Sequence, residues 1–552
     1  MRTYVTDVLV VGSGGAGLYA AVRAAEEGAR VILLDKGLAG RSGATVGSAG
    51  LTAVGSWRVA GDSQEVHYHD TLASGQFINN QKLVRILVEE VPKRAKELEG
   101  WGLTFDHRED GSYFLGHVSG HSYPRGLARS DRVGVGLTKV LRRRAFQLGV
   151  TIQQDTFVTS LLSRDGRVIG LTAIDSRSGD LLTLRGKAVI LATGGIGQLY
   201  PVTSNPVQST GDGLALALRA GTETVDMEQF QFYPAGVVYP ESLRGFGLGV
   251  VERSRLYNHP GERFMSRYAP QTMERTTRDL LAQSIYSEIR AGRGTEHGGV
   301  YLDARELPEE VFLNFRHEYE LCLERGLDLK ETRAEVAPTA HYFMGGLRID
   351  ERCETNLAGL YGAGEVTGGV MGANRLSGNS LADITVFGAI AGAQAARYAS
   401  QTQLVEIDEA ELEREYRRIR ALSSRGRRER RPIDLKREIR QLLWEKVGVI
   451  RSEGSLTEAL QSLETLEGEF PEVGIEKDGL RCNPELIAYL EAENMLLVGQ
   501  AIANSALIRK ESRGAHYMED HPQKDDAHWL KNVITKLEKG SIETYTQSVV
   551  TE

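Results

Sequence analysis

Cysteines and long apolar runs are scarce in this 552-residue sequence. Its three cysteines, Cys322, Cys353 and Cys482, are too far apart for a CxxC pair or a ferredoxin-type motif, so we expect no iron–sulfur centre here and assign no metal site. No apolar run reaches the ~18 residues that a membrane-spanning helix needs. The N-terminus leads into a predicted strand without a signal peptide. We therefore expect a cytoplasmic protein without a direct membrane span, peripheral to a membrane only through a partner.

Basic residues are also in the minority. The chain has 66 lysines and arginines against 74 aspartates and glutamates, which gives a formal net charge of -8. Because nucleic-acid binding requires a clustered basic surface, this balance argues against a nucleic-acid partner. The length and the 41% hydrophobic content allow several buried cores, so we expect more than one domain, and small molecules or proteins as partners.

A glycine-rich turn near the N-terminus lies between a predicted strand and a predicted helix. The pattern indicates a strand over residues 7–11, a helix over 18–27 and a second strand over 31–34, which together form a βαβ unit. The turn reads Gly12-x-Gly14-x-x-Gly17, and Asp35 follows 23 positions after Gly12. In this motif the glycines permit the tight turn, the approach of a pyrophosphate and close helix–strand packing, while the acid holds ribose hydroxyls. The sequence therefore predicts a dinucleotide site.

Later segments decide between FAD and NAD. A predicted strand over 188–192 leads into Thr193-Gly194, and the stretch 209–213 contains Asp212; both resemble further FAD contacts of two-dinucleotide-fold flavoproteins. A third predicted strand, around 360–361, ends in a turn with Glu365. We therefore predict FAD as the cofactor. The predicted cofactor-binding residues are Gly12, Ser13, Gly14, Gly15, Ala16, Gly17, Asp35, Lys36, Ser42, Gly43, Ala44, Thr45, Val158, Thr193, Gly194, Asp212, Glu365, Ser380 and Leu381.

Three further motifs follow in order along the chain. Residues 341–346 read HYFMGG, residues 372–381 read GANRLSGNSL, and residues 511–516 read ESRGAH. In this order they resemble the flavoprotein family of succinate dehydrogenase, fumarate reductase and L-aspartate oxidase. The resemblance implies an α/β fold: a Rossmann-like, two-dinucleotide-binding FAD domain, an inserted α+β capping domain and a C-terminal helical domain. We expect these at 1–229 with 341–405, at 230–340 and at 406–552, respectively.

The chemistry of such a family can be matched to residue types. Reducing a carbon–carbon double bond needs a hydride from flavin N5, a proton for the neighbouring carbon, and cations that hold the substrate carboxylates. Arg375 and His341 suit the carboxylates. The resemblance assigns proton donation to Arg278, an unusual acid because its reference pKa is above ~12.

The resemblance also implies a proton relay made of a glutamate and an arginine spaced E-x-x-R. Glu241 and Arg244 fit this spacing and are followed by a glycine, as in the family, so we prefer this pair. Glu252 and Arg255 fit the spacing too and stay an alternative.

The sequence departs from the family pattern at two positions of the expected site. Members with covalent FAD have a histidine directly after an Arg-Ser pair, whereas residues 41–43 read RSG here, so we predict non-covalent FAD. Tyr233 stands where the family usually has a histidine. Its hydroxyl can donate a hydrogen bond to a carboxylate but adds no positive charge. The identity of the dicarboxylate therefore stays open.

A third departure concerns the loop over residues 117–122, which resembles a loop of aspartate oxidases. In those enzymes a glutamate of the loop recognises the substrate amino group, and Val118 occupies the matching position here. Aspartate oxidase chemistry is therefore disfavoured. His121 in the same loop either lines the substrate site or has a packing role.

The leading hypothesis is an enzyme that interconverts fumarate and succinate, or a close dicarboxylate. One alternative is an amino-acid oxidase of the L-aspartate type. Another is a flavin electron-transfer subunit without a small substrate, which the retained Arg278, His341 and Arg375 disfavour. Since the chain has no cluster cysteines, we expect its flavin to exchange electrons with an iron–sulfur partner protein, a diffusible carrier or NADH.

Overall fold

A computed structural model describes residues 2–118, 120–128 and 132–552. The α-helices are α1 Gly15–Glu26, α2 Gln64–Ser74, α3 Gln81–Gly100, α4 Val133–Gln147, α5 Asp212–Arg219, α6 Met265–Tyr268, α7 Arg278–Glu288, α8 Glu309–Asn314, α9 Arg316–Glu324, α10 Asn379–Gln401, α11 Glu409–Ser423, α12 Pro432–Val447, α13 Glu453–Glu469, α14 Pro484–Ile508 and α15 Asp526–Trp529. The strands are β1 Arg2–Val5, β2 Val8–Val11, β3 Val31–Leu34, β4 Gly50–Thr52, β5 Leu115–Gly116, β6 Gly126–Ala128, β7 Thr151–Gln153, β8 Thr156–Arg164, β9 Arg167–Asp175, β10 Asp180–Arg185, β11 Ala188–Leu191, β12 Thr224–Val225, β13 Phe230–Tyr239, β14 Arg255–Tyr257, β15 Val300–Asp303, β16 Ala334–Phe343, β17 Gly346–Leu347, β18 Leu360–Gly362, β19 Lys531–Glu538 and β20 Ser541–Ser548.

A parallel sheet in the order β18-β11-β2-β3-β7 forms the centre of the FAD-binding part. The strands β2, β3 and β11 are apolar throughout and fully buried, as expected where helices cover both faces of a parallel sheet. Segments far apart in sequence, β2, β11 and β18, thus contribute to one sheet. Because the strands run parallel, their carboxyl ends lie at one edge, where ligands bind in open α/β sheets.

Two helices of the FAD-binding part, α1 and α10, pack against each other with their backbones in direct contact. A side chain at Gly388 or Gly392 of α10 would collide with the backbone of Ala16 or Ala20 in α1. Glycine at these two positions therefore lets α10 lie against α1. As a result the N-terminal turn of α10 lies beside the glycine-rich turn.

An antiparallel sheet in the order β13-β16-β15-β14 forms a second unit. It has its own hydrophobic cluster, whose buried members all fall between Tyr233 and Val336. This agrees with an inserted α+β cap, as the fold class predicts. The domain boundaries at 230 and 340 stay predictions.

The C-terminal part is helical from α11 to α14, as expected, but it ends in a hairpin, β19–β20, that the sequence analysis did not predict. The hairpin joins β12 and β17 in a sheet of the order β17-β12-β19-β20. The chain end is thereby attached to the FAD-binding part.

Helix α14 bears on the expected absence of a membrane span. Among the described residues, it is long and apolar enough to cross a membrane by length and composition. However, 72% of the residues in its apolar 18-residue stretch are buried inside the protein, where the helix packs against α12, α13 and α5. A buried core helix passes the same test, so α14 gives only weak support to a membrane span.

Candidate active site

One cavity lies at the carboxyl ends of β2, β3, β11 and β18. Apart from Gly17, Ser380 and Leu381, every predicted cofactor-binding residue lines it. Gly12 has a φ of 98°, and a side chain there would collide with the carbonyl of Ala192. A side chain at Gly17 would collide with the carbonyl of Gly12. These glycines therefore occupy the positions that the dinucleotide motif requires.

Asp35 closes one side of this cavity. Its carboxylate accepts hydrogen bonds from the backbone N–H groups of Ser13 at 2.8 Å and Gly37 at 2.7 Å, and from the Ser13 hydroxyl. An ionised carboxylate has about four acceptor sites. The Ser42 hydroxyl also lies 3.3 Å from the Asp35 carboxylate, but its single hydrogen goes to the nearer Leu38 carbonyl at 2.8 Å. Asp35 therefore keeps one acceptor site for a ribose hydroxyl, and the glycine turn leaves room for a pyrophosphate. The cavity fits the adenosine and pyrophosphate of FAD.

Lys36 follows Asp35 and contributes differently. Its ammonium donates to Thr210 at 2.6 Å, Asp212 at 2.6 Å and Glu491 at 2.7 Å, which uses all three of its hydrogens. Burial lowers the pKa of Lys36, but Asp212 and Glu491 together raise it above its ordinary value. Lys36 thus connects the cofactor cavity to α5 and to α14, and it has no hydrogen left to donate to a cofactor.

Glu365 is a buried carboxyl on the opposite wall of the cavity. It accepts from the backbone N–H of Phe343 at 3.0 Å, and burial raises its pKa to about 7. Asp383 in α10 is also buried, and burial, reinforced by the charge of Glu365, raises its pKa to about 8. The two carboxyls cannot both be fully ionised at neutral pH without mutual repulsion.

The pairing of β13 with β16 positions the candidate substrate residues. Gln231 lies opposite Tyr342 and Phe232 opposite Ala340, so His341 is an extra residue at a β-bulge. Bulges change the direction of a side chain. The ring of His341 lies 5.4 Å from the ring of Tyr233, measured between centroids.

Arg375, in the loop before α10, is buried and bonded only to neutral oxygens. Its guanidinium donates to Gln231 and Ser380, both at 3.3 Å, and to the Leu376 carbonyl at 3.5 Å, while its Nε has no partner. It also lies 4.6 Å from the ring centre of Tyr342. Burial and then the charge of Arg278 lower its pKa to about 10, so Arg375 stays charged at neutral pH.

Arg278, the first residue of α7, lies over Tyr233, with 4.9 Å between Cζ and the ring centre. Within the described ranges it makes neither a hydrogen bond nor an ion pair. The neighbouring Asp279 does not pair with it and instead accepts from Asn374 at 3.4 Å. Burial, then Arg375 and Arg278, hold the pKa of His341 well below its ordinary value. The site thus combines two cations with a neutral histidine.

The loop that contains Arg375 is supported by the third family motif. The backbone N–H of Ala515 donates to Ala373 at 2.9 Å, and a side chain at Gly514 would collide with Ala373. Glu511 and Arg513, both buried, form an ion pair at 2.6 Å in the same segment. The motif over residues 511–516 therefore holds the backbone two residues before Arg375.

Comparison with known proteins accounts for this arrangement. A family model described as an FAD binding domain matches residues 7–381, and one described as the fumarate reductase flavoprotein C-terminal region matches residues 436–552. A fumarate reductase (CoM/CoB) subunit of Methanothermobacter marburgensis is 42% identical over 96% of this chain and 97% of that protein. The chain belongs to the fumarate reductase and succinate dehydrogenase flavoprotein family. It is an FAD-dependent oxidoreductase.

Other relatives of this flavoprotein agree. The fumarate reductase flavoprotein subunit of Escherichia coli is 33% identical, over 97% of this chain and 92% of that protein. Among solved structures, quinol fumarate reductase of E. coli superposes with a TM-score of 0.92 at 32% identity, covering 100% of this chain and 98% of that one. Mycobacterium smegmatis Sdh1 gives a TM-score of 0.91 at 36% identity, covering 99% and 95%. The predicted family, fold class and cofactor are therefore confirmed.

The preferred relay residues of the flavoprotein, Glu241 and Arg244, lie at the surface. Glu241 and Arg244 form an ion pair at 3.4 Å, with side chains 80% and 40% exposed. In the alternative pair, Arg255 bonds instead to Glu306 at 2.8 Å, while Glu252 is half-buried and its charge acts on Tyr233. Among the described residues, no hydrogen bond or ion pair links either pair to Arg278, and the relay stays a prediction.

The substrate roles of Tyr233 and His121 also stay predictions. The Tyr233 hydroxyl donates to the Leu248 carbonyl at 3.1 Å, so a bond to substrate would require it to exchange partners. The Nε2 atom of His121 lies 2.8 Å from the carbonyl oxygen of Ser377. On the other side of the ring, Arg125 donates to Nδ1 of His121 at 3.3 Å. Ser119 of the same loop lies outside the described residues.

The contact with Arg125 fixes the tautomer of His121. An arginine can only donate, so Nδ1 accepts and Nε2 carries the hydrogen that goes to Ser377. Arg125 is itself held by Asp62 at 2.7 Å and Asp70 at 2.8 Å. Burial is the main reason why the pKa of His121 falls to about 4. His121 thus holds the backbone two residues after Arg375.

Gln231 is a site residue that the sequence analysis missed. Its amide accepts from Arg375 at 3.3 Å and donates to Asn374 at 2.6 Å and to the Arg375 carbonyl at 3.1 Å. It lies two residues before Tyr233 on β13, and strand alternation places both on one face. That spacing was a signal that could have found it.

Proposed function

We propose that this flavoprotein interconverts fumarate and succinate, or a close dicarboxylate, and works as a fumarate reductase with non-covalent FAD. The observation that carries the proposal is the presence of two guanidinium groups, Arg278 and Arg375, in one site without an ion pair to any carboxylate of the described residues. A dicarboxylate supplies two negative charges to such a site.

The energetics of Arg375 support an anionic ligand. A buried charge without an ion-pair partner costs several kcal/mol. The charge of Glu365 offsets this cost for Arg375 only in part, because burial raises the pKa of Glu365 to about 7. Here Arg278 raises that cost further, since it acts on Arg375 by like-charge repulsion. A bound carboxylate offsets both terms and also satisfies the free Nε of Arg375. Selection of a dianion over a monoanion follows from the second cation.

The residues then have distinct roles in fumarate reduction. FAD held in the cavity lined by Gly12, Asp35 and Glu365 would supply the hydride for one alkene carbon. Arg375 holds one carboxylate and stabilises the negative charge that develops in the transition state. His341 is neutral and can give a hydrogen bond without adding charge. Arg278 donates the proton to the neighbouring carbon, and its half-buried position at the start of α7 leaves a path for reprotonation.

We assign the reprotonation of Arg278 to Glu241 and Arg244. A relay has to end at water, and both side chains are exposed. Their turn lies close to the site, because a side chain at Gly245 would collide with the Thr203 carbonyl. Thr203 in turn donates to the carbonyl of Ala340, the residue before His341.

Two observations disfavour the other functions. Val118 occupies the position where an aspartate oxidase needs a carboxylate, and residues 117, 118 and 120–122 contain no acid. A flavin subunit that only transfers electrons has no use for two neighbouring arginines without an ion pair among the described residues. We therefore keep dicarboxylate reduction as the proposed function.

The proposed electron partner is an iron–sulfur subunit, with a diffusible carrier as the alternative. The relatives described above are named as subunits, and this chain has only three scattered cysteines. We further propose a cytoplasmic location, with membrane association only through that partner.

The test is a titration of the purified, FAD-loaded protein. Succinate, fumarate and malonate should each perturb the oxidised flavin spectrum, whereas L-aspartate should do so weakly. Fumarate should also be reduced with chemically reduced methyl viologen as donor. A flavin spectrum that responds to L-aspartate but to none of succinate, fumarate and malonate would refute the proposal.

A further inference from the structure

The exposed side of α4 is a cationic surface on a protein with an overall negative charge. Lys139, Arg142 and Arg143 of α4, with Arg41 from the loop after β3, line a surface cavity whose described lining residues include no acid. The formal net charge of the chain is -8, so this local excess of positive charge opposes the overall balance. We call these four residues, with Val135 and Phe146, the α4 face.

The cations of the α4 face are not used for internal ion pairs. In the described part of the chain, Arg41, Lys139 and Arg142 have no acidic partner, and Arg143 donates only to the Trp101 carbonyl. By contrast, the adjacent Arg144 points to the other side of the helix and pairs with Glu26 at 2.8 Å. Internal structure therefore accounts for Arg144 but not for the charges on the α4 face.

Apolar side chains flank these cations. Phe146 is 75% exposed and Val135 is 45% exposed. With Lys139 and Arg142 they follow the spacing 135, 139, 142, 146, which places all four on one side of a helix. Exposed aromatic and arginine side chains together are typical of the centre of a protein–protein interface.

The α4 face lies directly behind the cofactor cavity. The loop over residues 40–46 separates them: Gly40, Arg41 and Val46 line the α4 cavity, whereas residues 42–45 line the cofactor cavity. Helix α4 is in backbone contact with this loop, because a side chain at Gly134 would collide with the Thr45 carbonyl. A protein bound at the α4 face would thus be separated from the cofactor by a single loop.

We propose that the α4 face docks an acidic surface of the protein that exchanges electrons with the flavin. This inference rests on the proposed function, because it places the electron partner of that reaction. Carboxylates of the partner would pair with Arg41, Lys139 and Arg142, and an apolar residue would cover Phe146. Electrostatic attraction of this kind raises association rates by 10–10³-fold and weakens with salt.

The test uses stopped-flow reduction of the flavin by a reduced acidic [2Fe–2S] ferredoxin as the probe. Lys139→Glu combined with Arg142→Glu should slow this reduction about tenfold at low ionic strength and remove most of its salt dependence. The matched control is Arg325→Glu with Lys539→Glu, which changes the charge equally at two exposed positions outside the α4 face. The control should react like the wild type.

A second variant, Phe146→Ser, tests the apolar part of the face. It should weaken ferredoxin binding without changing the slope of the salt dependence. The proposal is overturned if ferredoxin does not reduce the wild-type flavin at low salt, or if the double reversal and its control behave alike. It is also overturned in favour of a small-anion site if the reversal lowers the affinity for anthraquinone-2,6-disulfonate but leaves ferredoxin reduction unchanged.

Turnover of fumarate with methyl viologen separates this inference from the proposed function. The viologen is a small cation, so the double reversal should not slow it. If viologen-driven turnover fails while ferredoxin reduction shows the expected salt dependence, the proposed function falls and the docking surface stands. The opposite pattern removes the docking surface alone.

Discussion

Replacement of Arg375 by alanine removes the one fully buried cation of the substrate site. A lost charge-assisted bond to a carboxylate typically costs ~2–5 kcal/mol, and ~1.36 kcal/mol corresponds to a factor of ten. We therefore expect kcat/KM for fumarate to fall by roughly 30- to 5,000-fold. Folding should suffer little, because Arg375 makes only weak bonds of 3.3–3.5 Å to neutral oxygens and its removal relieves a buried charge that has no ion-pair partner among the described residues.

The assay for Arg375→Ala is viologen-driven fumarate reduction, with flavin content and Tm measured on the same samples. FAD should be retained, and added ethylguanidinium should restore part of the lost activity. The control is Arg348→Ala. This variant breaks the 2.6 Å ion pair between Arg348 and Glu223, which lies outside the substrate site, and it should leave kcat/KM unchanged. Activity within threefold of the wild type would refute a carboxylate-binding role for Arg375.

Three further predictions address the donor, the flavin linkage and His121. Arg278→Lys should still show a fumarate-induced flavin shift but lose most of its kcat, with a residual rate that depends strongly on pH; near wild-type turnover would place the donor elsewhere. Acid precipitation should release all FAD, since Gly43 stands at the attachment position, and a yellow pellet would contradict this. The depressed pKa of His121, about 4 against ~6.5 when unfolded, contributes stability above pH ~6.5 that is lost as the pH falls towards 4. His121→Gln keeps a donor for Ser377 and an acceptor for Arg125 but does not titrate, so it should lose less stability over that pH range than the wild type. His121→Leu removes both hydrogen bonds and should raise KM for fumarate. An unchanged KM in His121→Leu would indicate that His121 has a packing role alone.

The parts of the fold that depend on local pattern could be predicted from the sequence. The roles of Gly12 and Gly17 follow from the backbone geometry of one βαβ unit, so the motif alone predicts them. The position of Arg375 near His341 was predictable only through the family resemblance, because their proximity depends on a sheet and a loop far apart in sequence. The hairpin β19–β20 was missed although Gly540 lies between two short runs rich in Val, Ile, Thr and Tyr, where a glycine marks a tight turn; both Lys539 and Gly540 have a positive φ there.

The features that could not be predicted depend on long-range packing. The E-x-x-R spacing of Glu241 and Arg244 says nothing about exposure, and only the packed chain shows that both lie at the surface. The network from Asp62 through Arg125 to His121 joins two loops, and no periodicity encodes it. The sequence left His121 open between substrate binding and packing, and the structure adds a third role through the Ser377 carbonyl.

The central claim, that this flavoprotein reduces a dicarboxylate at the Arg278–Arg375 site, is tested most directly by anaerobic stopped-flow. Protein with fully reduced FAD is mixed with fumarate, and the flavin absorbance and the succinate formed are measured together. We predict reoxidation of the flavin with one succinate formed per FAD, and no reoxidation with L-aspartate. A flavin that stays reduced in the presence of saturating fumarate would contradict the account.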